Sequence, residues 1–342
     1  MQNNHQTTAS VLRIMQLILF SALIMYFGKT LFIPLFFGLL IAIVMYPVCK
    51  WLEAHRWSKA LSITACLFIV TILFVLLLVI LLWQIKILAG ESPEIINVLK
   101  AALPGVQKWL INIAGVSINL DRISSNEFFS VIGNMLGAAF QNTVNTLFIL
   151  FLTPVYTALI MYHRKVLVQY LRLITPVKYH QQLDAILRQT VHTYFNYIKG
   201  MVLVYLIVGI LNSIGLFALG VNHALLFGML CAIMTIVPYI GIFISALLPI
   251  TVAWMDTGNI WYPVAIVAIF GFVQYLEANI IFPKVVGTQL NVSTLAMLVA
   301  IIAGGIIWGV AGMVLFIPFV AILKIITDNV EEWKAINLLL SR

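Results

Sequence analysis

Residues Leu295–Ile326 read LAMLVAIIAGGIIWGVAGMVLFIPFVAILKII, an apolar run of 32 residues. A helix that crosses the hydrocarbon core of a bilayer needs about 20 predominantly apolar residues. The run is therefore longer than one perpendicular crossing requires. It is interrupted by Gly304, Gly305, Gly309 and Gly312. It is either one long tilted helix or a hairpin of two shorter helices.

The same criterion finds further apolar segments along the chain. Ala224–Met255 is a second run of 32 residues, interrupted at Pro238, and it has the same two interpretations. The remaining segments are Val11–Phe27, Leu31–Cys49, Ala60–Leu88, Thr143–Tyr162, Met201–Leu219 and Ile260–Phe282. The sequence thus predicts an all-α polytopic membrane protein of about eight spans, with broken or re-entrant segments in its C-terminal half.

The composition excludes a water-soluble fold. Of the 342 residues, 63% are hydrophobic and only 9% are charged, whereas soluble domains carry about 25% charged residues. The formal net charge of +8 comes largely from short connecting segments. Such clusters suit anionic lipid headgroups, so we expect membrane lipids and not nucleic acid as partners.

The distribution of basic residues predicts the orientation. Lys50–Lys59 carries three basic residues and one acid, and His163–Lys199 carries six basic residues and one acid, whereas Gly90–Gln141 is nearly balanced. Because basic loops remain in the cytoplasm, we expect both termini in the cytoplasm. We expect the protein itself in the inner (plasma) membrane. Lys284 falls on opposite sides of the membrane in the tilted-helix and hairpin interpretations.

This orientation divides the chain into three parts. Residues 1–89 form N-terminal transmembrane helices, 90–142 form an extracytoplasmic amphipathic segment, and 143–342 form the transport region. Within the last part, apolar residues recur at helical spacing over Gln181–Gly200. That pattern predicts a cytoplasmic amphipathic helix at the membrane interface.

Enzyme signatures are absent from the sequence. It contains no GxxxxGK[ST], HExxH, GxSxG or GxGxxG motif, and its six histidines share no metal-ligand spacing with a carboxylate. We therefore expect no enzyme activity, cofactor or metal site. The three cysteines, Cys49, Cys66 and Cys231, are interpreted as small buried hydrophobic residues.

Glu277 is the one acidic residue that lies inside an apolar span. A charged side chain in the bilayer normally faces a bundle interior or an aqueous cavity. Gln274 at i−3 and Lys284 at i+7 share its helix face if the helix continues through Pro283. The functional interpretation is a pathway carboxylate that binds a cation, a proton or a hydroxyl-bearing solute. The alternative is a structural carboxylate that pairs with Lys284 or caps a neighbouring helix.

The segment Pro238-Tyr239-Ile240-Gly241 predicts a break in helical hydrogen bonding. Freed backbone groups at membrane depth line a cavity or are buried in protein, although a plain proline kink gives the same pattern. For the run Leu295–Ile326 we expect close helix packing at its glycines, which are Gly304, Gly305, Gly309 and Gly312.

Together these motifs resemble the AI-2E family of membrane transporters. The resemblance rests on Pro-Tyr-Ile-Gly at 238–241, on Gln-x-x-Glu-x-Asn-x-Ile-x-Pro-Lys-x-x-Gly at 274–287, and on the glycine run that ends at Pro318. It implies export of autoinducer-2, a quorum-sensing permease function, or exchange of Na⁺ or Li⁺ for protons. It also implies a homo-oligomer, with a pentamer as the expected form. The residues to which it assigns functional weight are Pro238, Gly241, Gln274, Glu277, Asn279 and Pro283.

We therefore expect a secondary transporter of a small polar solute, with Glu277 as the coupling or solute-binding carboxylate. Gln274 and Asn279 are its candidate hydrogen-bonding partners, and Asn279 can join only if the helix ends or unwinds there. The other candidate pathway residues are Pro238, Tyr239, Gly241, Pro283 and Lys284. Two alternatives remain, namely a Na⁺(Li⁺)/H⁺ antiporter, in which Glu277 titrates, and a non-transporting scaffold, in which glutamine replaces it without effect.

Overall fold

The computed structural model describes residue 16 and residues 20–76, 79, 143–236, 240–286 and 290–341. All regular secondary structure in these ranges is helical, which confirms the all-α prediction for them. The predicted extracytoplasmic segment 90–142 lies outside the described residues. So do Pro238, Tyr239 and parts of the predicted spans Val11–Phe27 and Ala60–Leu88.

The helices are labelled here in chain order, after a helical stretch at residues 20–27. Their bounds are α1 Lys29–Ala54, α2 Lys59–Leu76, α3 Thr143–Ile174, α4 His180–Ala218, α5 Ala224–Met234, α6 Ile240–Thr257, α7 Trp261–Leu276, α8 Phe282–Val285, α9 Thr294–Trp308, α10 Val310–Asn329 and α11 Lys334–Leu340. Short 3₁₀ turns occupy Val177–Tyr179 and Glu331–Trp333, and a π-turn occupies Glu277–Ile281.

Five helical segments of the described part are long and apolar enough to cross a membrane, where the sequence predicted about eight spans for the whole chain. They are Lys29–Ala54, Lys59–Leu76, Val177–Ala218, Trp261–Val285 and Val310–Asn329. Three shorter apolar helices accompany them. Large apolar side chains point outward from this structure: Phe151, Phe217 and Ile306 are 70%, 80% and 74% exposed. Lipid is a favourable environment for such a surface and water is not.

The apolar run Ala224–Met255 forms a hairpin and not one long helix. Helices α5 and α6 pack along each other. At their open end, Asn222 Nδ2 donates to Asp256 Oδ2 at 2.8 Å. At the closed end, Gly241 lies so close to α5 that an added Cβ would be 1.7 Å from the Met234 carbonyl oxygen. With 11 residues, α5 is about 16 Å long, so it crosses only part of a hydrocarbon core of about 30 Å.

The run Leu295–Ile326 is a second hairpin, made of α9 and α10. Gly309 joins the two helices with φ +62° and ψ −141°, a conformation that favours glycine. Below this turn, Gly304 and Gly312 bring the two backbones together: a Cβ added to Gly304 would lie 2.3 Å from the Gly312 carbonyl oxygen. Gly305 instead faces the flexible end of Met313.

The described residues belong to two compact units. The first draws on Met1–Phe68, Leu147–Tyr197 and Gln289–Arg342, and it contains the α9–α10 hairpin. One of its cores joins α1, α2 and α3 through Ala42, Cys49, Ile63, Cys66 and Met161. The three cysteines are buried free thiols, as expected for small apolar residues, although Cys231 has polar neighbours that are described below.

The second unit draws on Ile69–Thr146 and Ile198–Thr288 and contains the α5–α6 hairpin. Its core lies between α4, α5, α6 and α7 and includes Leu216, Phe227, Cys231, Val252, Ile266 and Phe270. At one end of this unit, Gly200 packs against Val285, so that a Cβ added to Gly200 would lie 3.2 Å from the Val285 carbonyl oxygen. Lys284 therefore lies at the same end of the unit as the start of the Met201–Leu219 span.

Candidate functional site

Glu277 begins the π-turn that follows α7. The Phe282 amide donates to the Glu277 carbonyl five residues earlier, which is the hydrogen bond of a π-turn. Pro283 gives a physical reason for this widening, because it has no N–H for the residue 279 carbonyl and its ring crowds that carbonyl in an α-helix. Such π-bulges are frequent at functional sites.

The Glu277 side chain points into the second unit and not towards lipid. The residue is only 8% exposed, and Gln274 Nε2 donates to its Oε2 at 2.9 Å. This pair confirms the geometry expected from their i, i+3 spacing. The other end of the amide, Gln274 Oε1, is buried and accepts no hydrogen bond from any described residue.

Three more buried polar side chains continue the site on α4, α5 and α6. Cys231 is hydrogen bonded with the side chain of Ser245, and the Glu277 carboxylate lies close enough to act electrostatically on its thiol. Asn212 Nδ2 donates to Cys231 Sγ at 3.4 Å. Cys231 and Ser245 are completely buried, and Asn212 is 1% exposed. We call Asn212, Cys231, Ser245, Gln274 and Glu277 the polar cluster.

The side-chain atoms of the polar cluster that lack a partner among the described residues are hydrogen-bond acceptors. The cluster offers one carboxylate, two amide oxygens and a hydroxyl, and both amide oxygens, Asn212 Oδ1 and Gln274 Oε1, lack a donor among the described residues. Within the described ranges, no group of three or more His, Cys, Asp or Glu residues is arranged to hold a metal ion. The chemistry of the cluster therefore suits a ligand that donates hydrogen bonds, or a monovalent cation held by one carboxylate and neutral oxygens.

The structure separates several of the predicted pathway residues from Glu277. Asn279 is exposed, and its Nδ2 donates to the Tyr275 carbonyl at 2.9 Å, so its amide is used on the helix surface. Pro283 and Lys284 are also exposed. Among the ion pairs of the described residues, none joins Glu277 to Lys284. Gly241 is buried at the closed end of the α5–α6 hairpin.

The sequence reasoning did not select Asn212 or Ser245. Both lie in apolar segments and carry no charge, so neither is marked as an ionisable residue within the membrane. The available signal was the Asn212-Ser213 pair within the Met201–Leu219 span, since polar side chains in spans often bond across helices. Cys231 was interpreted as a small hydrophobic residue, and only the folded structure brings it within electrostatic reach of Glu277.

The sequence matches the model of a protein family described as "AI-2E family transporter" over residues 15–332. It is 26% identical over 306 residues to the "Putative transport protein YrrI" of Bacillus subtilis (strain 168), which covers 87% of this chain and 86% of that protein. It is 23% identical over 325 residues to the "AI-2 transport protein TqsA" of Escherichia coli (strain K12), which covers 92% and 90%.

Proposed function

This chain belongs to the AI-2E transporter family, as its motifs predicted, and on that premise we propose that it is a secondary transporter of a small polar solute. The polar cluster is its binding site, and Glu277 is the coupling or solute-binding carboxylate. We propose that it lies in the inner membrane with both termini in the cytoplasm.

The observation that carries this proposal is the burial of Glu277 within an apolar segment. A charged side chain at the centre of a spanning helix costs about 2.5 to 3.5 kcal/mol to insert. The hydrogen bond from Gln274 offsets part of this cost. A structural role would be served equally well by an apolar side chain, and often better. A role in binding a ligand or a proton therefore explains the buried carboxylate better than a structural role does.

The acceptor-rich chemistry of the cluster selects the solute class. A polar solute with several hydroxyl groups supplies the donors that the carboxylate and amide oxygens require, whereas the carboxylate repels anions. One relative is named an AI-2 transport protein, and we propose an autoinducer-2-like solute, and with it a role in quorum sensing, for this chain. Membrane lipids surround it, and a homo-oligomer, with a pentamer as the expected form, is the proposed assembly.

Flux into proteoliposomes tests the proposal directly. The assay measures autoinducer-2, Na⁺ and Li⁺ separately, with and without a pH gradient. We expect autoinducer-2 flux in the wild type and a fall of about tenfold or more in Glu277→Gln, because the hydrogen bonds of a charged acceptor are lost. The unfolding temperature and oligomer size should persist in this variant.

The matched control is Glu331→Gln. The Glu331 side chain is 89% exposed and forms only a 3.8 Å ion pair with Lys334, so its removal should leave flux unchanged. Wild-type flux in Glu277→Gln would disprove the site assignment. Cation-dependent proton flux without autoinducer-2 flux would identify an antiporter, and a wild type that moves none of the three would identify a scaffold.

A further inference from the structure

We infer that Asn212 is a solute-binding residue, and that the solute donates hydrogen bonds to two buried amide oxygens of the polar cluster, those of Asn212 and Gln274. The inference rests on the proposed transport function and adds a residue and a recognition rule to it. Asn212 lies in the span Met201–Leu219, which contains no charged residue.

The first observation is the orientation of the Asn212 amide. Its Nδ2 is engaged by Cys231 Sγ at 3.4 Å, while its Oδ1 is buried and has no donor among the described residues. The residue is 1% exposed. Buried polar atoms are nearly always hydrogen bonded, and an unpaired one is costly to keep. A site that is completed by a ligand explains why the cost is tolerated.

The second observation is that Gln274 repeats this arrangement from another helix. Its Nε2 donates to Glu277 Oε2 at 2.9 Å, and its Oε1 is buried without a donor in the part of the chain that the structure describes. In both amides the nitrogen donates a hydrogen bond to a protein atom, and the oxygen accepts none from the described residues. Helices α4 and α7 thus each contribute to the polar cluster one buried amide oxygen that lacks a hydrogen-bond donor among the described residues.

Cys231 connects the two amides. Its thiol accepts the hydrogen bond from Asn212 and lies within electrostatic reach of Glu277, which in turn holds Gln274. The polar cluster thus contains three acceptor groups, the oxygens of Asn212 and Gln274 and the Glu277 carboxylate, which we propose form one acceptor surface. Hydroxyl groups match this surface, whereas a phosphate or carboxylate would bring further acceptors and a like charge.

The first test uses Asn212→Leu, which has a similar size and no acceptor. We expect its unfolding temperature to equal or exceed that of the wild type, because an unpaired buried oxygen is removed. Flux of autoinducer-2 per folded molecule should fall about tenfold or more, mainly through a higher KM. The control Asn196→Leu removes an amide that bonds to His192 in the other unit, and its flux should equal that of the wild type.

The outcomes separate this inference from the proposed function. Wild-type flux in Asn212→Leu, together with lost flux in Glu277→Gln, overturns the role of Asn212 alone. Wild-type flux in both variants overturns the shared site. A lower unfolding temperature with unchanged flux in Asn212→Leu assigns the residue to folding and also overturns the inference.

The second test does not depend on flux. In a Cys49→Ala/Cys66→Ala background, Cys231 is the remaining thiol. Because it is buried, the protein is incubated with N-ethylmaleimide until a measurable fraction of Cys231 is alkylated without solute, and the product is measured by mass spectrometry. Autoinducer-2 should slow this alkylation at least severalfold, and Asn212→Leu should abolish the protection. The O-phosphorylated derivative should give none. Equal alkylation rates with and without autoinducer-2, or equal protection by the phosphorylated form, would overturn the inference.

Discussion

Gly304 and Gly312 face each other so closely across the α9–α10 hairpin that a Cβ added to Gly312 would lie 1.9 Å from the Gly304 carbonyl oxygen. The obstacle is backbone, which cannot move without separating the two helices. The close approach follows from the absence of side chains at both positions.

We therefore expect Gly312→Ala to destabilise the first unit by about 3 kcal/mol, at the upper end of the usual cost of overpacking. Gly305→Ala is the matched control on the same hairpin. Its Cβ would lie 2.8 Å from the terminal Cε of Met313 and 3.4 Å from its Cγ, and this flexible side chain can turn away. Thermal unfolding of both variants in one detergent measures the difference, and equal unfolding temperatures would contradict the prediction.

Gly241 offers a corresponding test for the α5–α6 hairpin. An alanine there would place its Cβ 1.7 Å from the Met234 carbonyl oxygen, so Gly241→Ala should lower the unfolding temperature and reduce flux. Gly271→Ala on α7 has nothing within 4 Å of the added Cβ. Because alanine favours helix by about 1 kcal/mol over glycine, this control should be neutral or stabilising. A Gly241→Ala protein as stable as the control would argue against the tight hairpin.

Lys324 and Asp328 should respond unequally to substitution. Lys324 is 3% exposed and its Nζ donates to Asp328 Oδ1 and to Asn337 Oδ1, whereas the Asp328 side chain is 33% exposed. Asp328→Asn leaves a buried ammonium without its counter-charge and should cost about 3 kcal/mol. Lys324→Met keeps the aliphatic volume and leaves a carboxylate that water can reach, so it should cost less. A double-mutant cycle by thermal unfolding checks this order, and equal losses would contradict it.

Because α5 and α6 form a hairpin, the side of the membrane on which Lys284 lies can be tested. Gly200 and Val285 lie at one end of the second unit, and Asn222 and Asp256 lie together at the other. With the proposed orientation, Lys284→Cys should be shielded from an impermeant thiol reagent in intact cells. Asn259→Cys, in the exposed α6–α7 connection, should react. The native thiols are buried and give a low background. The reverse pattern would require the opposite orientation.

The apolar runs predicted the helices because their length and composition leave no other structure in lipid. They did not decide between a tilted helix and a hairpin, since 32 residues satisfy both. That decision depends on contacts between distant residues, such as Asn222 with Asp256, which hydropathy does not contain. Lys324 illustrates the same limit: it lies within the Leu295–Ile326 run, and its partner Asn337 lies beyond the run, on α11.

At the site, the sequence predicted the pair of Gln274 and Glu277 because three residues along a helix share a face. It did not identify Asn212, since an uncharged amide in an apolar span lacks the high insertion cost that singles out a charged residue. Asn279 was expected to join Glu277 if the helix unwound, but the π-turn leaves it exposed and bonded to Tyr275. The chain changes its helical geometry there without ending the helix.

That π-turn has the effect of a one-residue insertion. A turn with one extra residue shifts everything after it by about 100° around the helix axis. Lys284, which an uninterrupted α-helix would bring back to the face of Glu277, is thereby turned away and exposed. Replacing Pro283 with alanine removes the cause of the widening, and an uninterrupted α-helix of the same length would bring the lysine back towards the carboxylate. Deleting one residue from 278–281 would instead leave the lysine six residues after Glu277, still about 120° from its face. Seven residues would place Glu277 and Lys284 on one face of a regular α-helix. Across the π-turn, the same seven residues place them on different faces.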